Sequence, residues 1–186
     1  QASGQIKNGM DTVSVSRWRS DWACSNGPAL ETLFCLLTPL ISVIGPVFPD
    51  RVSTAGGVFS GTARQTPDAL TATLDYPGGL TVVLTAGPSK AFMRPPVIRG
   101  KDASLTIETD AILLTPEPHV KGRFPARSPL RIPVQPGPDP IEDWLHAIPK
   151  QRPCACPPTL AYPAQAAIGL AAKAYRRETA LVVEPV

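Results

Sequence analysis

The amino-acid sequence predicts an α+β fold: an open, mainly antiparallel β-sheet with helices packed on one face. Three observations predict it. Residues 70–76 and 80–85 alternate apolar and threonine-rich positions on either side of Pro77-Gly78-Gly79. Apolar stripes at helical spacing lie towards both ends of the chain. The helical segments do not alternate one by one with strands, as a parallel βαβ sheet requires.

In chain order, residues 10–19 set Val13 and Val15 against Thr12, Ser14 and Ser16, the alternation of a half-buried strand. Asn26-Gly27-Pro28 then opens a helix, because proline in the first turn lacks only an N–H that has no helical partner there. Leu30, Leu33, Phe34 and Leu37 form its apolar stripe. Thr38-Pro39 either kinks this helix or caps a second one ending near Gly45. The hairpin follows, with Leu70, Ala72, Leu74 and Tyr76 on the same face as Leu80, Val82 and Leu84. Its opposite face is mostly threonine, so helices are expected to cover only one side.

Short strands are predicted at 97–99, 104–109 and 111–114. Eight of the 23 prolines fall between residues 115 and 140. That segment cannot be a helix or an interior strand, since proline lacks the N–H both need. It reads as an extended surface loop with at most one edge strand, 130–134. Ile141, Trp144, Leu145 and Ile148 form a short helical stripe. Ala164, Ala167, Ile168, Ala171, Ala172 and Tyr175 form a longer one, with Pro163 placed where a helix can begin. Arg176 and Arg177 suit its carboxyl end. Residues 181–183 make a last short strand.

The 186 residues are expected to make a single domain, 1–186. A net charge of +3, with no basic run, argues against a nucleic-acid partner. The longest apolar stretch, 33–48, is interrupted by Thr38, Pro39, Ser42 and Pro46, which argues against a membrane span. The opening Gln1-Ala2-Ser3-Gly4 has no initiator methionine, as in a processed, trimmed or longer chain. Four cysteines, of which only Cys154 and Cys156 are clustered, suit reduced thiols in a cytoplasmic protein better than a disulfide framework or a metal site. No GxGxxG follows a strand and no GxxxxGK[ST] occurs, so no cofactor is expected.

Several motifs in this order resemble the C-terminal half of the glucose–fructose oxidoreductase/inositol dehydrogenase (Gfo/Idh/MocA) family. Ser3-Gly4-Gln5-Ile6 is similar to the Gly-x-Ile leading into that family's first sheet strand. Residues 27–45 resemble its helix bearing an Asp-x-x-x-His pair and an apolar run ending in Gly. Asp75-Tyr76-Pro77-Gly78-Gly79 resembles its hairpin, and residues 100–105 its Gly-Thr-x-Gly-x-Leu strand pair. Residues 143–153 and the alanine-rich helix resemble its closing helices.

The resemblance implies a substrate-binding and oligomerisation domain that is not itself redox-active. The family's hydride chemistry uses a Rossmann domain and a lysine from it, and neither is found in this sequence. The family's Asp falls on Glu31 and its His on Cys35, which share one helix face at i and i+4. A thiol has a pKa near 8.5 and is a weak donor, so Cys35 does not inherit a histidine's general-base role. Its plain reading is a small buried side chain.

Glu31 is the candidate catalytic residue. Arg17, Trp18, Arg19, Trp22 and Cys35 are candidate substrate contacts, because in the related fold this junction borders the cleft. The indoles offer stacking and shape, and an arginine can pair with a substrate carboxylate. Core and rim packing is the plain reading of both tryptophans. His119, in the proline loop, and His146, expected exposed on a helix, have no partner visible in sequence. Two further functions remain open. One is a stand-alone, cofactor-independent cyclase, cycloaddition catalyst or isomerase of secondary metabolism, acting on an apolar small molecule. The other is a non-enzymatic binding module. The threonine-rich sheet face is expected to meet a second copy or a covering domain.

Overall fold

The computed structural model of the protein describes residues 18–60, 64–89, 94–118, 129–135 and 137–183. They fall into two compact units, Met93–Ala155 and the chain on either side of it. Residues 10–17 of the strand expected at 10–19 lie outside the described residues. Trp18–Ser20, at the end of that expected strand, form a 3-10 turn instead.

In the first unit, helix α1 (Pro28–Ile44) precedes strands β1 (Arg51–Gly57), β2 (Ala69–Tyr76) and β3 (Leu80–Ala86). The later elements β4 (Val97–Arg99), β5 (Ala103–Ile107), β6 (Ala111–Pro116), β7 (Leu130–Pro133) and helix α2 (Pro140–Lys150) belong to the second unit. Helix α3 (Pro158–Arg177) and strand β8 (Leu181–Val182) return to the first.

The first unit is an antiparallel sheet of order β3-β2-β1-β8, with α1 and α3 packed on one face. Leu30, Leu33, Leu37 and Ile41 of α1 are buried, as their helical spacing requires. They meet Val52 of β1, Leu70, Ala72, Leu74 and Tyr76 of β2, and Val82 and Leu84 of β3. Ala164, Ala167 and Ala171 line the buried side of α3, and their small side chains let the helix lie close to α1 and β1. Pro39 does not divide α1, which runs through to Ile44. Helix α3 likewise begins at Pro158 rather than Pro163, which sits buried inside it.

The hairpin pairs Leu70 with Ala86 through to Tyr76 with Leu80. Gly78 and Gly79 turn it at φ of +82° and +81°, a conformation L side chains rarely adopt. Its second strand is an outer strand of the sheet among the described residues. Strand β1 is the element the sequence does not announce. Only Val52 along it is buried, and it pairs with β2 in full register from Arg51–Asp75 to Gly57–Ala69.

The second unit holds the antiparallel sheet β4-β5-β6-β7, with the short exposed β7 as an edge strand where the proline-rich segment allows one. Helix α2 is capped by Asp139, whose carboxylate accepts from the Ile141 and Glu142 amides. The apolar stripe of α2 is exposed at Ile141, Trp144, Leu145 and Ile148, while Asp143 and Ala147 are buried. Asp143 is held there because it accepts from Arg152 at 2.6 Å and from the Ala155 amide at 2.7 Å. His146 is exposed, as expected, and His119 lies outside the described residues. Among the described residues, no helix is long and apolar enough to cross a membrane.

Candidate functional site

The segment leading into α1 is tied down at several points. Ser25 accepts from the Asp21 loop's exit, the Gly27 amide, at 2.9 Å. Asp21 caps its own turn by accepting from the Ala23 amide. The Arg19 carbonyl accepts from Thr66 Oγ1 at 2.7 Å, and the Ser20 carbonyl accepts from the Gln65 amide at 2.8 Å. Two loops distant in sequence are thereby fixed side by side ahead of the helix.

This arrangement brings three of the candidate residues together. Arg19 Nε lies 2.8 Å from one Glu31 oxygen, and Ser25 Oγ donates to the other at 3.0 Å. The Arg19 guanidinium sits 4.8 Å from the centre of the Trp18 ring, within cation–π range. Both carboxylate oxygens of Glu31 therefore have protein partners. The ion pair is partly exposed, so it contributes little to stability, and a ligand that competes for Arg19 can open it at small cost.

Trp22 is placed elsewhere. Its ring packs 6.0 Å from Tyr175 of α3, with the Arg176 guanidinium 4.1 Å from its centre. Arg176 also donates to Asn26 at 3.3 Å. Trp22 and Tyr175 are half-buried against the core, and Arg176 is exposed beside them. Arg17 lies outside the described residues. Cys35 is exposed, not the small buried side chain of its plain reading, because α1 turns Leu33 and Leu37 inward and Cys35 outward. With Thr32, Leu36, Pro39 and Val43 it forms an exposed face opposite the buried stripe.

A second feature near the start of α1 is not visible in sequence. Asp68, buried just before β2, accepts from the Phe59 amide at 2.9 Å, from the Ser60 amide at 2.7 Å and from the Ser60 hydroxyl. Burial pushes its carboxyl up. The Ser60 hydroxyl and the two amides, helped by the charge of Arg64, outweigh burial and hold the carboxyl below its ordinary value. Only an acid at a strand entrance, eight residues beyond a serine, hints at this in the sequence.

No protein-family model matches the sequence, and no curated protein matches it. Solved structures do resemble the fold. An NAD binding oxidoreductase from Klebsiella pneumoniae superposes with a TM-score of 0.67 at 11% identity, over 90% of this chain and 54% of its own. An aldose-aldose oxidoreductase from Caulobacter crescentus, complexed with glycerol, gives 0.65 at 16% identity, over 89% and 50%. A UDP-N-acetylglucosamine 3-dehydrogenase, GnnA, from Acidithiobacillus ferrooxidans gives 0.57 at 18% identity, over 76% and 44%. The chain thus has the fold of part of these oxidoreductases, in agreement with the fold its motifs led one to expect. It spans about half the length of these proteins.

Proposed function

We propose that this chain is a substrate-binding and oligomerisation domain of the Gfo/Idh/MocA kind, with residues 1–186 making one such domain and the hydride chemistry carried elsewhere. The observation that supports this best is the two-faced sheet. One face is closed by α1 and α3, and the other presents Thr71, Thr73, Val83 and Thr85, with Val83 62% exposed. A flat β-branched surface of this kind suits another sheet or a second copy of the chain. On this reading Trp18, Arg19, Glu31 and Cys35 front the substrate at the start of α1. Arg19 pairs with its polar groups, Glu31 acts as hydrogen-bond or proton partner once released, and Cys35 contributes size. Arg17 and Trp22 are proposed as further contacts on the strength of the sequence, Trp22 from its separate aromatic group with Tyr175.

A cofactor-independent cyclase or isomerase acting on an apolar metabolite is the second reading. The exposed Leu36 and Val43 on the outer face of α1 favour it. Turnover of such a metabolite without added nucleotide separates it from the first.

Sedimentation equilibrium of the chain and of Val83→Glu tests the oligomerisation face. The chain is expected to be dimeric at micromolar concentration, and the variant, folded but carrying a charge in the interface, monomeric. A monomeric parent chain contradicts the proposal.

A further inference from the structure

We infer that the first unit holds a second polar site, for a small oxyanion, in the cavity beside the start of α1. The cavity has a volume of about 240 Å³. Its walls include Ala29 and Thr32 of α1, Ser60, Arg64 and Asp68 of the β1–β2 connection, and the Gly87-Pro88 turn after β3. Nothing in this inference uses Trp18, Glu31 or the sheet face, so it stands or falls independently of the proposed function.

Arg64 carries the argument. Its Nη1 is buried and has no hydrogen-bond partner among the described residues. A guanidinium nitrogen removed from water without a partner is destabilising unless something in the site accepts from it. The acid nearby does not fill that role by contact. Asp68 is engaged by the Phe59 and Ser60 amides and the Ser60 hydroxyl, and holds its own loop instead. Thr32 is also committed, donating to the Pro28 carbonyl at 2.9 Å. A positive donor thus lines a cavity whose carboxylate is engaged by its own loop.

The helix start adds to this. Gly27 is the N-cap, with no side chain to cap the first-turn amides. A side chain there is sterically excluded, because a Cβ on Gly27 would lie 2.5 Å from Thr66 Cβ. Pro28 supplies no N–H. The first turn of α1 is left with uncapped amides at the same cavity that holds Arg64, an arrangement that favours negative charge. A cavity of this volume admits a small hydroxy acid or inorganic phosphate.

The test is a ¹H–¹⁵N NMR titration of the chain with acetate, lactate, gluconate and phosphate at constant ionic strength. Saturable shifts are expected at the amides of Ala29, Thr32, Ser60 and Arg64. Preference for the carboxylates identifies a metabolite acid as the ligand class, and preference for phosphate a phosphorylated one. Arg64→Gln should weaken binding by about tenfold or more. Thr32→Glu, at an exposed helix position that tolerates substitution, should do the same by placing its own carboxylate at the cavity. No saturable shift with any of the four anions, shifts spread over surface cations such as Arg176 and Arg177, or unaltered binding by a folded Arg64→Gln chain would each overturn the inference.

Discussion

Gly27 illustrates how single residues decide this structure. It stands at φ of +95° with Thr66 packed against the place a side chain would occupy. Gly27→Ala therefore adds both backbone strain and a clash, and is expected to lower stability by about 2–4 kcal/mol in urea denaturation. Asp68 is the corresponding polar case. Its folded carboxyl titrates below the ordinary 3.8, so its contribution to stability is complete well above that value and is lost as pH falls through 3.8 towards the folded value. Thermal melts across this acid range should show that loss in the parent chain, and Asp68→Asn should lack this part of the slope. A parent and variant with parallel pH profiles contradict the assignment. Neither residue's role is legible in sequence. Gly27 reads there as an ordinary helix start, and its need to be glycine comes from Thr66, thirty-nine positions on. Arg19 and Glu31 likewise meet only because the loop bearing Thr66 and Gln65 holds the turn beside the helix.

Whole elements were more legible, in proportion to their periodicity. The hairpin follows from strict alternation and a glycine turn. Helix α1 follows from its buried stripe, although Pro39 suggested a break that does not occur. The missing i→i−4 bond at Pro39 falls in a helix whose Leu33, Leu37 and Ile41 are all completely buried, and that packing carries the helix through. Strand β1 escaped because Ser53, Thr54, Gly56 and Gly57 give no apolar alternation. It is specified instead by close approach, since a Cβ on Gly56 would lie 2.2 Å from the Ala69 carbonyl oxygen. The two sides of α1 should respond differently to truncation. Leu37→Ala, at a fully buried position, is expected to lose about 2–5 kcal/mol, and Cys35→Ala, on the exposed face, less than about 0.5 kcal/mol. Chemical denaturation of both variants checks this, and equal losses contradict the orientation of the helix.

At the scale of the whole molecule, the described residues make two antiparallel sheets, and no described strand leads through a glycine-rich turn into a helix. The part of the chemistry legible in sequence was therefore architectural. The motif order resembled the C-terminal half of an oxidoreductase family, and the fold is that of part of such proteins over most of the chain. The cavity at Arg64 was not legible, because its walls come from three separate segments. The central proposal is that this chain supplies the substrate side of such an architecture and not the dinucleotide side. A pyrophosphate site needs backbone amides converging from a tight glycine turn at a helix N-terminus. Among the described residues, neither helix start that lacks a side-chain cap, at Gly27 of α1 or Pro157 of α3, follows such a turn. Isothermal titration calorimetry of the chain with NADH and NADPH tests this most directly. The account predicts no heat beyond dilution in the micromolar range, and saturable micromolar binding of either nucleotide would contradict it.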